Sequence, residues 1–348
     1  MATDNSASYF AAIPKAELHL HLDGSVRPRT VLELAREHQV PIPSDDLSKL
    51  ESFLEANDRT ASLVEYIQYF ELPIAVMQTA LALERTTYEL CLDLAQDNVR
   101  YAEIRFGPWL HVQRGLSLAD VIRAVLEGWR AGVRETGVSG GIIVTALRDM
   151  PAAQNVALAQ VAGRFVGEGV IGFDLAGDEA GHPPGLHEDA FRVARSLGLS
   201  LTIHAGEAAG PESVRQAIAL GAVRLGHGVR AQEDAEVLAM VKDEGIQLDT
   251  APTSNAHTKA VRRYEEHPLG RFYDAGIKVT ISTDSRTVSS ITLTDEMAKV
   301  ARLLGCTKEA IWAMNLQALD GGFGDRQARA ELRRDFIRRE AALRQPND

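Results

Sequence analysis

Eight short apolar runs of strand length recur along the chain: "ELHLHL", "VRYAEIRF", "GIIVTAL", "VIGFDLA", "LSLTIHA", "AVRLGHG", "GIQLDTA" and "GIKVTIS". Between most of them lie stretches with apolar residues at helical spacing, at 118–134, 189–197, 211–220, 234–244 and 268–275, several ending at a glycine. Strand alternating with helix calls for a parallel sheet. Eight repeats within 348 residues favour closure into a (β/α)8 TIM barrel. An open doubly wound sheet would announce a Gly-rich phosphate turn after its first strand, and none follows here. One barrel domain over 1–348 is expected, with an N-terminal tail to about residue 12 and a charged C-terminal helix and tail over about 325–348. The stretch 31–97 is longer than one crossover helix requires, which predicts additional helices between strands 1 and 2, covering one barrel mouth. Within it "SLVEYIQYFELPIAVMQ" reads first as core packing, with a mouth-lining role for Tyr66, Phe70 and Leu72 as the second reading.

A chain that is 45% hydrophobic can bury a sizeable core, and its net charge of -11 offers no basic footprint for nucleic acid or an anionic membrane. The two cysteines, Cys91 and Cys306, are too few and too far apart for a disulfide framework or a C-x-x-C site, which suits a reducing cytoplasm. No leader pattern and no membrane-length apolar run is read.

Polar residues at the ends of the predicted strands carry the chemistry. His19 and His21 lie two apart in "ELHLHL", so both imidazoles face the barrel interior. Two satisfied core histidines on one face would need several buried partners, whereas a divalent cation satisfies both rings at once. His204 and Glu207 in "TIHAGE", His227 in "RLGHG" and Asp284 in "TISTDS" stand where other strands finish. In a barrel those strand ends meet at one mouth. Three imidazoles and one carboxylate, with a position left for water, suit zinc. A second metal is not expected, because "VIGFDLA" lacks the lysine that bridges many binuclear sites. By this reading His19, His21, His204 and Asp284 form the metal site, His227 orients the water and Glu207 donates a proton. His38, His111, His182, His187, His257 and His267 are expected in surface or structural roles.

Taken together, "PKAELHLHLDGS", "GFDLAGDE", "TIHAGE", "LGHG" and "STDS" resemble the adenosine deaminase family in order and separation, and "AVMQT", "YAEIRFGPWLH" and "APTSN" extend the likeness over nearly the whole chain. The resemblance implies a (β/α)8 barrel, one Zn2+ per subunit, and hydrolytic replacement of the 6-amino group of a purine nucleoside, with water as co-substrate. It assigns His19, His21, His204 and Asp284 as zinc ligands, Glu207 as the group that protonates purine N1, and His227 as the histidine that positions the attacking oxygen. Asp284 counts also among the catalytic groups and His21 among the substrate-binding ones. It further implies that Asp23 accepts from the ribose 5'-hydroxyl and that the Gly177 N–H meets purine N3. On residue type alone, both would read as turn formers. Cytidine and tRNA deaminases use H-x-E with P-C-x-x-C on another fold, and no such motif occurs here.

One departure stands out. Where the family's animal-type pattern has a second aspartate contacting purine N7, this chain has Ser285, and "SR" at 285–286 resembles the Asn-Arg of the bacterial branch. A serine hydroxyl donates more weakly and with less reach. The leading expectation is deamination of adenosine and 2'-deoxyadenosine in purine salvage. The alternatives are another 6-aminopurine compound (aminodeoxyfutalosine, adenine or a modified nucleoside) or an amide or ester hydrolase on the same barrel.

Overall fold

The computed structural model describes residues 6–57 and 59–344. All eight apolar runs are strands: β1 Lys15–His21, β2 Val99–Phe106, β3 Ser139–Leu147, β4 Val170–Ala176, β5 Ser200–Ala205, β6 Arg224–His227, β7 Gln247–Thr250 and β8 Lys278–Ile281. They pair in chain order, all parallel. β8 meets β1 through one bridge, Leu20 with Asp284, which brings the first strand against the segment that follows the last. The result is the expected (β/α)8 barrel.

Helices fill the connections as their patterns require. Leu118–Thr136 starts at a capping box in which Ser117 and Asp120 satisfy each other's backbone N–H, and stops at Gly137 in the left-handed region. Among the described residues, five α-helices lie between β1 and β2, Pro28–His38, Leu47–Leu54, Leu63–Gln68, Glu71–Val76 and Ala80–Gln96, in keeping with the length of that stretch. Residues 6–12, expected as a tail, include the helix Ser6–Ala12, which the Tyr9 hydroxyl ties to Glu340 at 2.8 Å. At the other end the charged helix runs over Arg326–Leu343. Residues 1–5 and 345–348 of the two expected tails lie outside the described residues. Among the described residues no helix is long and apolar enough to cross a membrane.

The barrel interior is polar where the strand alternation turns charged residues inward. Arg224 pairs with Glu103 at 2.5 Å and Asp249 at 3.1 Å, and Arg105 pairs with Asp174 at 3.0 Å, all buried. Such groups are tolerated in a core only when each finds its partner.

Candidate active site

β1 carries His19 and His21 on its inward face, β5 brings His204 and the turn after β8 brings Asp284. The seam fixes their register: the His21 N–H donates to the Asp284 carbonyl at 2.6 Å, and the Asp284 N–H donates to the His19 carbonyl at 3.0 Å. Four side chains converge as a result. His19 Nε2 and His21 Nε2 each lie 3.3 Å from Asp284 Oδ1, and His21 Nε2 lies 3.1 Å from His204 Nε2. One ligand atom from each lies within 4.8 Å of all the others.

The donor set has the chemistry of a cation site. His19 is fully buried, yet neither of its ring nitrogens has a hydrogen-bond partner. His204 Nδ1 lies 3.0 Å from Asp174 Oδ2, and donation there leaves a lone pair on Nε2 aimed into the cluster. Burial alone would raise the Asp174 carboxyl; His204 and Arg105 outweigh it and hold it far below the usual carboxylate range. Buried lone pairs directed at one another and at a carboxylate are costly unless a positive ion lies between them. The residues present therefore fit a divalent metal, and three nitrogens with one carboxylate oxygen suit zinc.

The cluster opens into a cavity of about 300 Å³ lined by His21, Asp23, Gly177, His204, Glu207, His227 and Asp284. Leu63, Tyr66 and Ile67, from the helix Leu63–Gln68, and Phe70, from the turn after it, form its apolar side. Tyr66 and Phe70 thus take the mouth-lining role, while Leu72 packs in the core. A larger groove of about 700 Å³ lies apart, and its lining includes the ion pairs Arg27–Asp93 at 2.6 Å and Arg286–Asp97 at 3.0 Å.

Glu207 is buried in the cavity wall with its Oε2 3.4 Å from His227 Nε2. Burial pushes its carboxyl well above the ordinary value, and Asp284 and Glu179 add to the effect, which favours its protonated form. Burial likewise lowers His227 to about 3, leaving it neutral. A chain of hydrogen bonds sets its tautomer. The Leu269 N–H donates to His267 Nδ1 at 3.2 Å, which puts the His267 proton on Nε2, 3.1 Å from Asn255 Oδ1. The Asn255 amide then points its NH2 at His227 Nδ1, 3.0 Å away. His227 therefore carries its own proton on Nε2, facing the cavity. Its φ of 66° and that of Asp284, 65°, lie in the left-handed region that non-glycine residues seldom adopt, a strain that recurs at functional sites.

Asp23, just beyond β1, is buried with Oδ1 unpartnered, and burial raises its carboxyl to about 7. Gly177 follows β4 at φ 111°, a backbone conformation open to glycine. Ser285 takes a different place: it is fully buried, is not among the cavity-lining residues, and with Phe70 crowds the space where Gly24 has no side chain. Sequence reasoning missed Asp174, Asn255 and Thr145, a buried cavity-lining residue whose hydroxyl has no partner. The inward parity of "VIGFDLA" was the available signal for Asp174.

The family described as adenosine deaminase matches residues 14–338. The chain belongs to the adenosine deaminase family. An adenosine deaminase of Vibrio vulnificus is 44% identical over 299 residues, covering 85% of this chain and 90% of that protein. Two solved structures share the fold of this family member. An adenine deaminase from Arthrobacter aurescens has a TM-score of 0.86 at 25% identity, covering 94% of this chain and 99% of that one. A cog1816 amidohydrolase from Burkhoderia ambifaria, with bound Zn, has a TM-score of 0.89 at 25% identity, covering 99% and 94%.

Proposed function

We propose that this member of the adenosine deaminase family converts adenosine and 2'-deoxyadenosine to inosine and 2'-deoxyinosine, consuming one water and releasing one ammonia, with one zinc ion held by His19, His21, His204 and Asp284. The observation that carries this reading is the convergence of that donor set with Glu207 and His227 on one cavity.

A zinc ion at the cluster would polarise water and lower its pKa toward neutrality. The chain's own residues do the rest. Glu207, protonated before substrate arrives, gives its proton to purine N1, which makes C6 electrophilic. The Nε2–H of His227 holds the attacking oxygen in line with C6. Asp284 accepts a hydrogen bond from the same oxygen, and the amino group leaves as ammonia once C6 has become tetrahedral. Asp23, beside His21, accepts from the ribose 5'-hydroxyl, and the Gly177 N–H meets N3. The apolar side formed by Leu63, Ile67 and Phe70 covers the base and excludes water from it.

The remaining cavity wall selects among 6-aminopurine compounds. Asp23, Asp149 and Asp178 all line it, so a 5'-phosphate would meet carboxylates. A neutral nucleoside is therefore preferred over a nucleotide, and a place in purine salvage within the cytoplasm is the setting we assign. Ammonia release from the zinc-loaded enzyme tests the proposal with adenosine, 2'-deoxyadenosine, adenine, AMP and aminodeoxyfutalosine offered in parallel. The two nucleosides should lead. Faster turnover of adenine or aminodeoxyfutalosine would move the substrate assignment, and no ammonia from any of them would overturn the reaction.

A further inference from the structure

Glu207 sits in a short loop between β5 and the helix Pro211–Ala219, and no regular structure holds it. A second carboxylate does. Glu179, buried in the loop after β4, accepts on Oε1 from the Gly206 N–H at 2.6 Å and the Ser213 hydroxyl at 2.5 Å. On Oε2 it accepts from the N–H groups of Glu207 at 3.0 Å, Ala208 at 2.6 Å and Ala209 at 2.8 Å. Four consecutive backbone N–H groups thus aim at one carboxylate. Successive N–H groups wrapped in this way, just before a helix N-terminus, make a concavity that binds anions. Here the chain's own side chain fills it, so the direction of the Glu207 Cα–Cβ bond is set from another strand's loop.

We propose that Glu179 is a positioning residue that fixes the reach of the Glu207 carboxyl into the cavity and so acts on turnover through Glu207. The inference rests on Glu207 being the proton donor. Glu179→Gln replaces one acceptor oxygen with an NH2 that must face N–H or O–H donors, which loosens the cradle while preserving size. Misplacing a reacting group by ~1 Å costs about 100-fold in rate.

The test is a cycle of Glu179→Gln, Glu207→Gln and the double variant, each loaded with zinc and assayed for kcat, KM and metal content with adenosine. Glu179→Gln should lower kcat by about 10- to 100-fold, with KM within about threefold and one zinc retained. The double variant should be no slower than Glu207→Gln alone, because residues acting as a unit are not additive. Unchanged kcat in Glu179→Gln, loss of its zinc, or multiplied losses in the double variant would overturn the proposal. Wild-type turnover in Glu207→Gln would instead overturn the proton-donor assignment beneath it. Should Glu179→Gln fail to fold, Ser213→Ala decides: a kcat loss of a few fold that vanishes in the Glu207→Gln background supports the proposal, and an unchanged kcat refutes it.

Discussion

Gly226 precedes His227 on β6, and its missing side chain is what lets His19 stand where it does. A Cβ built there would lie 2.6 Å from His19 Cε1, 3.1 Å from its Nδ1 and 3.3 Å from the His204 Cα. Carbon atoms pack at about 3.5–4.0 Å, so Gly226→Ala must displace the imidazole by roughly 1 Å. The ring is fully buried between His204 and His227, with ring centroids 4.6 Å away on each side, so it has no free direction to yield. The Gly226 backbone is not among the left-handed positions, so alanine adds no backbone strain and the effect is steric. Overpacking of this kind costs about 1–3 kcal/mol. A ligand moved by ~1 Å should cost about 100-fold in turnover. Zinc per chain, the calorimetric melting temperature and the rate of ammonia release from adenosine measure the three consequences. A variant with full zinc, unchanged melting and wild-type kcat would show that His19 is not held as described.

Three further outcomes are expected. Asp174→Asn removes the carboxylate that orients His204 and leaves the Arg105 guanidinium short of its buried partner; zinc affinity in a competitive chelator titration should fall about 10- to 100-fold, and an unchanged affinity would count against the orienting role. Asp23→Ala assayed at pH 8, above the raised value of about 7 where the carboxyl is ionised, should raise KM for adenosine about tenfold or more while leaving 5'-deoxyadenosine nearly unaffected, since a hydrogen bond to a charged group is worth about 1.5–3 kcal/mol; equal losses for both would refute the 5'-hydroxyl contact. Glu296 is buried, accepts from the Thr253 N–H at 3.1 Å and the Tyr264 hydroxyl at 2.9 Å, and burial raises its carboxyl from 4.5 to about 7. Its contribution to stability is complete below about pH 4.5, where folded and unfolded chains are both protonated, and is lost as pH rises through about 7. The gap is worth about 3 kcal/mol; urea unfolding from pH 5 to 9 should show that decline in the parent and not in Glu296→Gln, and parallel curves would refute it.

The barrel was legible because each strand is a compact apolar run and each crossover has helical spacing, two local signals that tertiary contacts then reinforced. The donors at the strand ends were legible for the same reason: an imidazole at the end of an apolar run has no local partner and stands out. The groups that hold those donors did not. His267 reads as an ordinary histidine near a proline, and its hold on His227 exists only because Asn255 lies between them in space. Glu179 follows a turn in "GDEAG" and gives no hint that its partners begin at Gly206. Ser285 adjoins a donor in sequence, yet its side chain packs closely against Gly24, a contact that no local pattern announces. Short-range pattern reveals what a side chain can do, and long-range packing decides which neighbour it meets.

The seam between β1 and the segment after β8 has one backbone bridge, where β2–β3 and β5–β6 share several residue pairs, and is tied further by side chains, with the Thr283 N–H donating to Glu17 and the His19 N–H to the Ser282 hydroxyl. His19 and His21 stand on one side of it and Asp284 on the other. An ion bound by all three would act as a clasp between the first strand of the barrel and the segment after its last, closing a loop of more than 260 residues, from His19 to Asp284. Catalytic cofactor and structural fastener would then be one atom. A chelated enzyme would loosen first at this seam, and amide exchange at His21 and Asp284 would be the earliest sign of an enzyme losing its metal.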